Sequence, residues 1–365
     1  MSLAFTMVYL LGGEVVLHTS NFIFQFIKYI SILLMFIQTI SVFSKYTLGW
    51  RILIIFSLAL SLIVGIINGK YFSMLAICAL VFGAKGIDYN KLLQYYFSIS
   101  SFFCLSIITL CGLGLIRDNI AEPDNRVNLL TDNYSIRHSF GYVWPTDFAT
   151  HVFFILLTLW ILKKGKLNII FYIVYLIISY LIVLYTDSRL GAGCIVLLVI
   201  FSLFIRIREK YSFNFSKINL IYVIWIPLIV FVSLYLTYHY NPSDESWVLL
   251  DTMLSDRLRL GNEAFQEYGV KLFGQYYVQY GGQNSGDFYN FIDSSYIQLI
   301  IIYGAIYTML FLFGFVDIAY KAYKRKDMAM LLAIFVAGIS GAIAQHFLQI
   351  FMNPILLGLT ARHKD

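Results

Sequence analysis

The chain has 365 residues, of which 60% are hydrophobic and 13% charged, with a mean hydropathy of +0.77. A soluble domain carries about a quarter charged residues, so a water-soluble globular fold is excluded. The net charge of +6 does not imply nucleic acid; it matches the Lys/Arg excess that membrane proteins keep in cytoplasmic loops.

Apolar runs are continuous rather than alternating, which predicts spanning helices and not a β-barrel. The start, MSLAFTMVYLLGGEVV, lacks a basic n-region and a small-residue cleavage site, so it reads as a first short membrane helix and not a cleavable signal. About twelve segments follow from hydrophobic runs: 3–18, 20–43, 52–68, 71–84, 92–116, 147–162, 167–186, 189–207, 219–238, 291–317, 328–346 and 347–361. The last two come from Met328–Ala361, a run without Asp, Glu, Lys or Arg. One straight helix of that length would reach about 50 Å, against a hydrocarbon core of about 30 Å. Asn353-Pro354 supplies a break, so two segments are expected, one of them re-entrant. Cys78, Cys104, Cys111 and Cys194 all lie in apolar helices without CxxC spacing, and read as small buried hydrophobes with no disulfide or metal role.

Basic residues set the orientation. With the N-terminus inside, 17 of the 26 lysines and arginines face the cytoplasm and eight face outward, with Lys28 inside a helix. This predicts cytoplasmic N- and C-termini. Two long loops then fall outside, 117–147 and 239–290, attached to a single integral membrane domain covering 1–365. In the second loop Trp247, Leu250, Leu254 and Leu258 recur at helical spacing, which predicts one amphipathic helix on the membrane face.

Four constellations in or beside these loops carry polar chemistry. Arg137-His138, ahead of Trp144-Pro145, is either an interfacial anchor or a phosphate fork with a titratable neighbour. Asp187-Ser188-Arg189, followed by Gly191 and Gly193, is either a self-satisfied pair or a charge aimed into a polar cavity. Arg257 flanks the apolar stripe, while Arg259 points away from it; the choice is a lipid-facing cation or a snorkelling surface charge. Asp293 opens an apolar helix, either as an N-cap or as a general base at a cavity mouth. His239, His346, Gln345 and Asn353 are weaker candidates. No Walker A, DxD, HExxH or serine elbow is present.

Taken in order, these residues spell R-x-S-x-G-x-x-x-P-T from Arg137, T-x-S-R-x-G from Thr186, D-R-L from Asp256 with L-F-G at Gly274, and D-x-x-Y-I-x-L from Asp293 with Y-G at Gly304. The order resembles that of the bacterial O-antigen and capsular polysaccharide polymerase family (Wzy-type), which is related to the O-antigen ligases, and it covers the chain from about residue 90 onward. The resemblance implies an all-α polytopic membrane fold, GT-C-like, and a glycosyltransferase of polysaccharide biosynthesis. Such an enzyme moves a glycan chain from a polyprenyl-diphosphate donor onto a polyprenyl-diphosphate-linked repeat unit, without metal or other cofactor. Arg137, Arg189, Arg257, Arg259, Ser188 and Tyr296 would bind the diphosphate-linked substrate. Arg257 would also act in catalysis, with Asp293 or His138 as the base. The partners implied are the lipid-linked oligosaccharide, membrane lipid, and a chain-length regulator and flippase of the same pathway. The ligases carry a functional His near where Asp293 stands here, so the Asp favours a polymerase. A ligase transferring to another acceptor, and a flippase or transporter of the same glycan, remain the competing readings.

Overall fold

The computed structural model describes residues 22–69, 73–121, 127–128, 130–131, 135–211, 220–280 and 290–363. The predicted first helix at 3–18 and Arg126 lie outside the described residues. All regular structure among the described residues is helical: α1 Phe22–Phe43, α2 Leu48–Asn68, α3 Ser73–Gly83, α4 Tyr89–Gly112, α5 Pro145–Leu162, α6 Ile169–Thr186, α7 Arg189–Tyr211, α8 Ile221–Tyr238, α9 Glu245–Met253, α10 Arg257–Tyr268, the single turn α11 Ser295–Gln298, α12 Ala305–Lys324 and α13 Met328–Ile343. Among the described residues seven helices (α2, α4, α5, α6, α7, α8 and α12) have the length and apolar composition to cross a membrane, making this a multi-pass membrane protein. The expected twelve spans are therefore matched only in this coarser form. Three further apolar helices, within α1, α3 and α13, are shorter; the 16 residues of α13 would reach only about 24 Å.

Hydrocarbon supplies no hydrogen-bond partner, so each spanning segment satisfies its own backbone as a helix. Side chains then divide by face. On α6 the buried residues Tyr172, Tyr175, Ser179, Ile182 and Thr186 form one stripe, while Ile169, Ile173, Ile177 and Tyr180 on the other faces are half or more exposed. The exposed face is the one that suits lipid. Polar atoms of the buried stripe tie helices together: the Tyr175 hydroxyl donates to Leu156 O and the Ser179 hydroxyl to Ala192 O. Helix α5 is buried nearly all round and packs against α4 and α7; its Trp160 indole donates to Ser202 Oγ.

The bundle has two unlike ends. At one, Lys166 pairs with Glu209, Lys321 with Asp317, and Tyr89 N donates to Arg362 O. At the other, the long loops gather where α4, α6 and α8 finish and α5, α7 and α12 begin; this is called the loop end below.

Three predicted elements break where the sequence reads as continuous. The amphipathic helix across 247–258 is two helices, because Ser255 and Asp256 adopt left-handed backbone at φ 56° and 62°; Arg257 therefore opens α10 rather than flanking a stripe. The segment 291–317 is interrupted by a π turn at Leu299–Tyr303 and by Gly304 at φ 88°. The segment after α13 is no helix: two 3₁₀ turns, Gln345–Leu348 and Pro354–Leu359, carry the chain back through the bundle to Arg362 at the basic end. Asn353 shapes the break, accepting from Ile355 N and donating to Phe347 O at 3.0 Å. Such irregular backbone at membrane depth survives only inside protein or beside a cavity, and this segment is buried throughout 346–348 and 350–361.

Candidate functional site

The site forms at the loop end. Loop 113–144 is pinned there by Asp118, which accepts from Ser139 N and Phe140 N at 2.9 and 2.8 Å and faces His138 Nδ1 at 2.7 Å. Desolvation raises the Asp118 carboxyl, but the bonds from His138, Phe140 and Ser139 outweigh it and hold it below its ordinary range. Both side chains stay partly open to water, at 34% for His138 and 25% for Asp118. The next residue over, Arg137, donates from Nε to Thr186 O at 2.8 Å, and His138 N donates to Tyr185 O. The end of α6 thus anchors the strip that leads into α5.

Arg257 and Asp293 meet across the second loop. Arg257 Nη2 lies 3.6 Å from Asp293 Oδ2, with 18% and 27% of the side chains exposed. The guanidinium is held on three carbonyls as well: Nε on Ile343 O at 2.7 Å, and Nη1 on Leu254 O and Ser255 O. Its helix start is fixed by Asp251, whose carboxylate accepts from Leu258 N and Arg259 N at 2.8 and 3.2 Å. Asp256, at the N-cap position, makes no such bond. Burial raises the Asp293 carboxyl, and Arg257, then His346, then Arg137 pull it back in part. Asp293 does not cap α11, whose N-cap residue is Ser294; it belongs to a junction of opposite charges.

The broken backbone after α13 floors this junction. Ile343 O receives Arg257, Ala344 O receives the Ser295 hydroxyl at 2.6 Å, and Gln345 Oε1 receives Gln298 Nε2. One residue further, His346 Nε2 sits 2.8 Å from Asp147 Oδ1 with both side chains almost fully buried. Asp147 is the third residue of α5, and its other oxygen accepts from Trp144 N. One turn on, His151 contacts the Tyr142 hydroxyl at 2.7 Å, again fully inside.

The other predicted residues fall as follows. Arg189 reaches Asp187 at 3.4 Å and donates to Val127 O at 2.9 Å, tying the first loop to α7. Ser188 is buried and its N donates to Thr186 Oγ1. Arg259 pairs with Glu263 on the open face of α10. Tyr296 is wholly buried, with its hydroxyl donating to Gly338 O at 2.7 Å, so it builds the wall rather than the opening. His239 ends α8 among Tyr235 and Tyr238. The structure brings Arg257 and Asp293 into contact, with His346 and Arg137 within electrostatic reach of Asp293. It keeps Arg259 apart on the surface of α10.

Sequence patterning alone does not single out Asp118, Asp147 or Asp251. Asp147 had a readable signal, three residues after Trp144 with Pro145 between, the spacing of a capping carboxylate. Asp251 and Asp118 act across breaks that no periodicity marks.

The motifs meet in pairs. Arg137 and Thr186, heads of the first two, share a hydrogen bond; Arg257 and Asp293 share the ion pair; and L-F-G lies on Y-G, with Ala305 N and Ile306 N donating to Lys271 O and Leu272 O. Between the helices lies a partly open apolar pocket, lined among others by Leu53, Met74, Tyr307, Phe311 and, from the two broken segments, Leu299, Tyr303 and Leu348. No protein-family model, curated protein or solved structure matches the chain.

Proposed function

We propose that this protein is a polysaccharide polymerase of the Wzy type, transferring a glycan chain from a polyprenyl-diphosphate donor onto a polyprenyl-diphosphate-linked repeat unit at the outer face of a bacterial plasma membrane. The observation that carries the reading is the Arg257–Asp293 junction, a recessed cation and carboxylate at the loop end, supplied by the third and fourth motifs of the resemblance. The excess of Lys and Arg at the opposite end supports placing the loop end outside.

The chemistry follows from charge. The bond between anomeric carbon and diphosphate oxygen is already activated, so breaking it needs no nucleotide. As it breaks, the electron pair goes to the diphosphate oxygen; Arg257 and Arg137 receive that growing charge in a site with little water. The acceptor hydroxyl forms the new bond to the anomeric carbon and gives its proton to the Asp293 carboxylate. A raised carboxyl suits this role, since a base works best with a pKa near the working pH. His138, held by Asp118, is the alternative base. The apolar pocket suits a lipid tail, being walled by the same broken segments that carry the polar junction.

The test is incubation of purified protein with a synthetic polyprenyl-diphosphate repeat unit in EDTA, with products resolved by glycan length. A ladder of lengthened lipid-linked glycans supports the polymerase. Transfer to a different added acceptor without a ladder makes it a ligase, and movement of intact substrate across vesicles makes it a transporter.

A further inference from the structure

Asp147 and His346 are 199 residues apart in sequence, yet their side chains meet 2.8 Å apart with 1% and 3% exposure. Ionisable groups hidden in a membrane bundle are costly and mark function by default. A buried pair of this kind is weak evidence for stability, so its place in the fold decides what it does. His346 rides on the turn whose preceding carbonyls, Ile343 O and Ala344 O, hold Arg257 and Ser295. It also lies within electrostatic reach of Asp293 above it and of His151 beside it. The charged and titratable groups around this point are Arg257 from α10, Arg137 and Tyr142 from the first loop, Asp147 and His151 from α5, and Tyr296 from α11, whose ring lies against Phe347.

We propose that Asp147 and His346 are positioning residues for Asp293. Asp147 fixes the imidazole; the turn that carries it braces Arg257 and Ser295; together they keep the Asp293 carboxylate ready to take a proton. This rests on Asp293 being the proton acceptor of the reaction above, but its own signature is independent of any substrate. Arg257 contacts Asp293 directly, and the backbone just ahead of His346 holds Arg257 through Ile343 O. Neutralising either should leave Asp293 protonated to higher pH.

The experiment uses dicyclohexylcarbodiimide, which adds across the O–H of a protonated carboxyl in an apolar site and rearranges to a stable N-acylurea. Full-length protein in detergent is labelled across a pH series, and the Asp293 peptide is quantified by mass spectrometry. Expected is a midpoint shifted upward by about one pH unit in Arg257→Gln and by about half a unit or more in His346→Gln, with His239→Gln at the wild-type value. If His346→Gln does not give monodisperse protein, His346→Asn serves in its place and should move the same midpoint upward. An Asp293 curve that moves in Arg257→Gln but stays at wild type in the His346 variant overturns the proposal and leaves the pair as scaffold only. Shifted labelling in a protein that makes no glycan ladder leaves this inference standing and removes the polymerase instead.

Discussion

Gly274 and Gly304 touch backbone to backbone. A Cβ on Gly304 would lie 2.1 Å from Gly274 N, and one on Gly274 would lie 2.1 Å from Ile302 O. Both residues also have positive φ, 76° and 88°. The second loop therefore seats itself in the break of the 291–317 segment, where Gln275 N donates to Ile302 O. Two short motifs that look unrelated in the sequence are the two halves of one contact.

Alanine at either glycine should unseat the loop. The clash is with backbone, which cannot rotate away, and positive φ adds strain. The expected cost is about 3 kcal/mol or more for Gly304→Ala. Thermal unfolding in detergent checks it, alongside Gly193→Ala, which meets nothing within 4 Å and should leave the melting temperature unchanged.

Asp251→Ala should loosen Arg257 without touching it. Its carboxylate closes the start of α10 on two amides, and loss of such a cap costs about 1 kcal/mol. Because Arg257 is the first residue of that helix, glycan extension should fall by about tenfold, in line with a catalytic donor displaced from its position. The helix-propensity control Glu267→Ala, at the far end of α10, should change neither.

The carboxyl of Asp293 is raised above its ordinary 3.8 by burial. The folded state then holds this proton more tightly than the unfolded chain, so stability falls as pH rises from about 4 and levels off once Asp293 is fully ionised. In Asp293→Asn that slope disappears and the melting temperature at neutral pH rises, while extension activity drops by about 10²-fold or more. Melting curves of both proteins between acid and neutral pH read the difference directly.

Asp118 behaves with the opposite sign. Its carboxyl is held below 3.8 by the bonds from His138, Phe140 and Ser139. Its contribution is present above the ordinary carboxylate range and is lost as pH falls through the depressed value. Hydrogen exchange of the 138–142 amides should therefore speed up in strong acid in the wild type, and be fast already at neutral pH in Asp118→Ala.

Much of the membrane bundle is legible from sequence because lipid imposes one rule, a helix for each long apolar run; α5 through α8 begin and end within a few residues of the hydropathy boundaries. The breaks are not legible. Ser255 and Asp256 turn left-handed, Gly304 stops a helix, and the stretch after α13 becomes 3₁₀ turns, all inside runs that read as continuous. Each break is offset by contacts distant in sequence, such as Arg257 on Ile343 O or Gln275 N on Ile302 O, which periodicity cannot display. For the same reason Arg257 and Asp293 stand out as rare charges in the sequence, whereas their partner His346 reads as one of several weak candidates and Asp147 as an unremarkable helix start.

The most direct measurement is release of polyprenyl diphosphate from the lipid-linked donor, counted against glycosidic bonds formed, in wild type and Arg257→Gln. Expected is one diphosphate lipid released per bond in the wild type and a loss of about 10²–10³ in rate in the variant. Release and extension at the wild-type rate in Arg257→Gln, or extension in the wild type without release of the diphosphate lipid, would contradict a reaction centred on the Arg257–Asp293 junction.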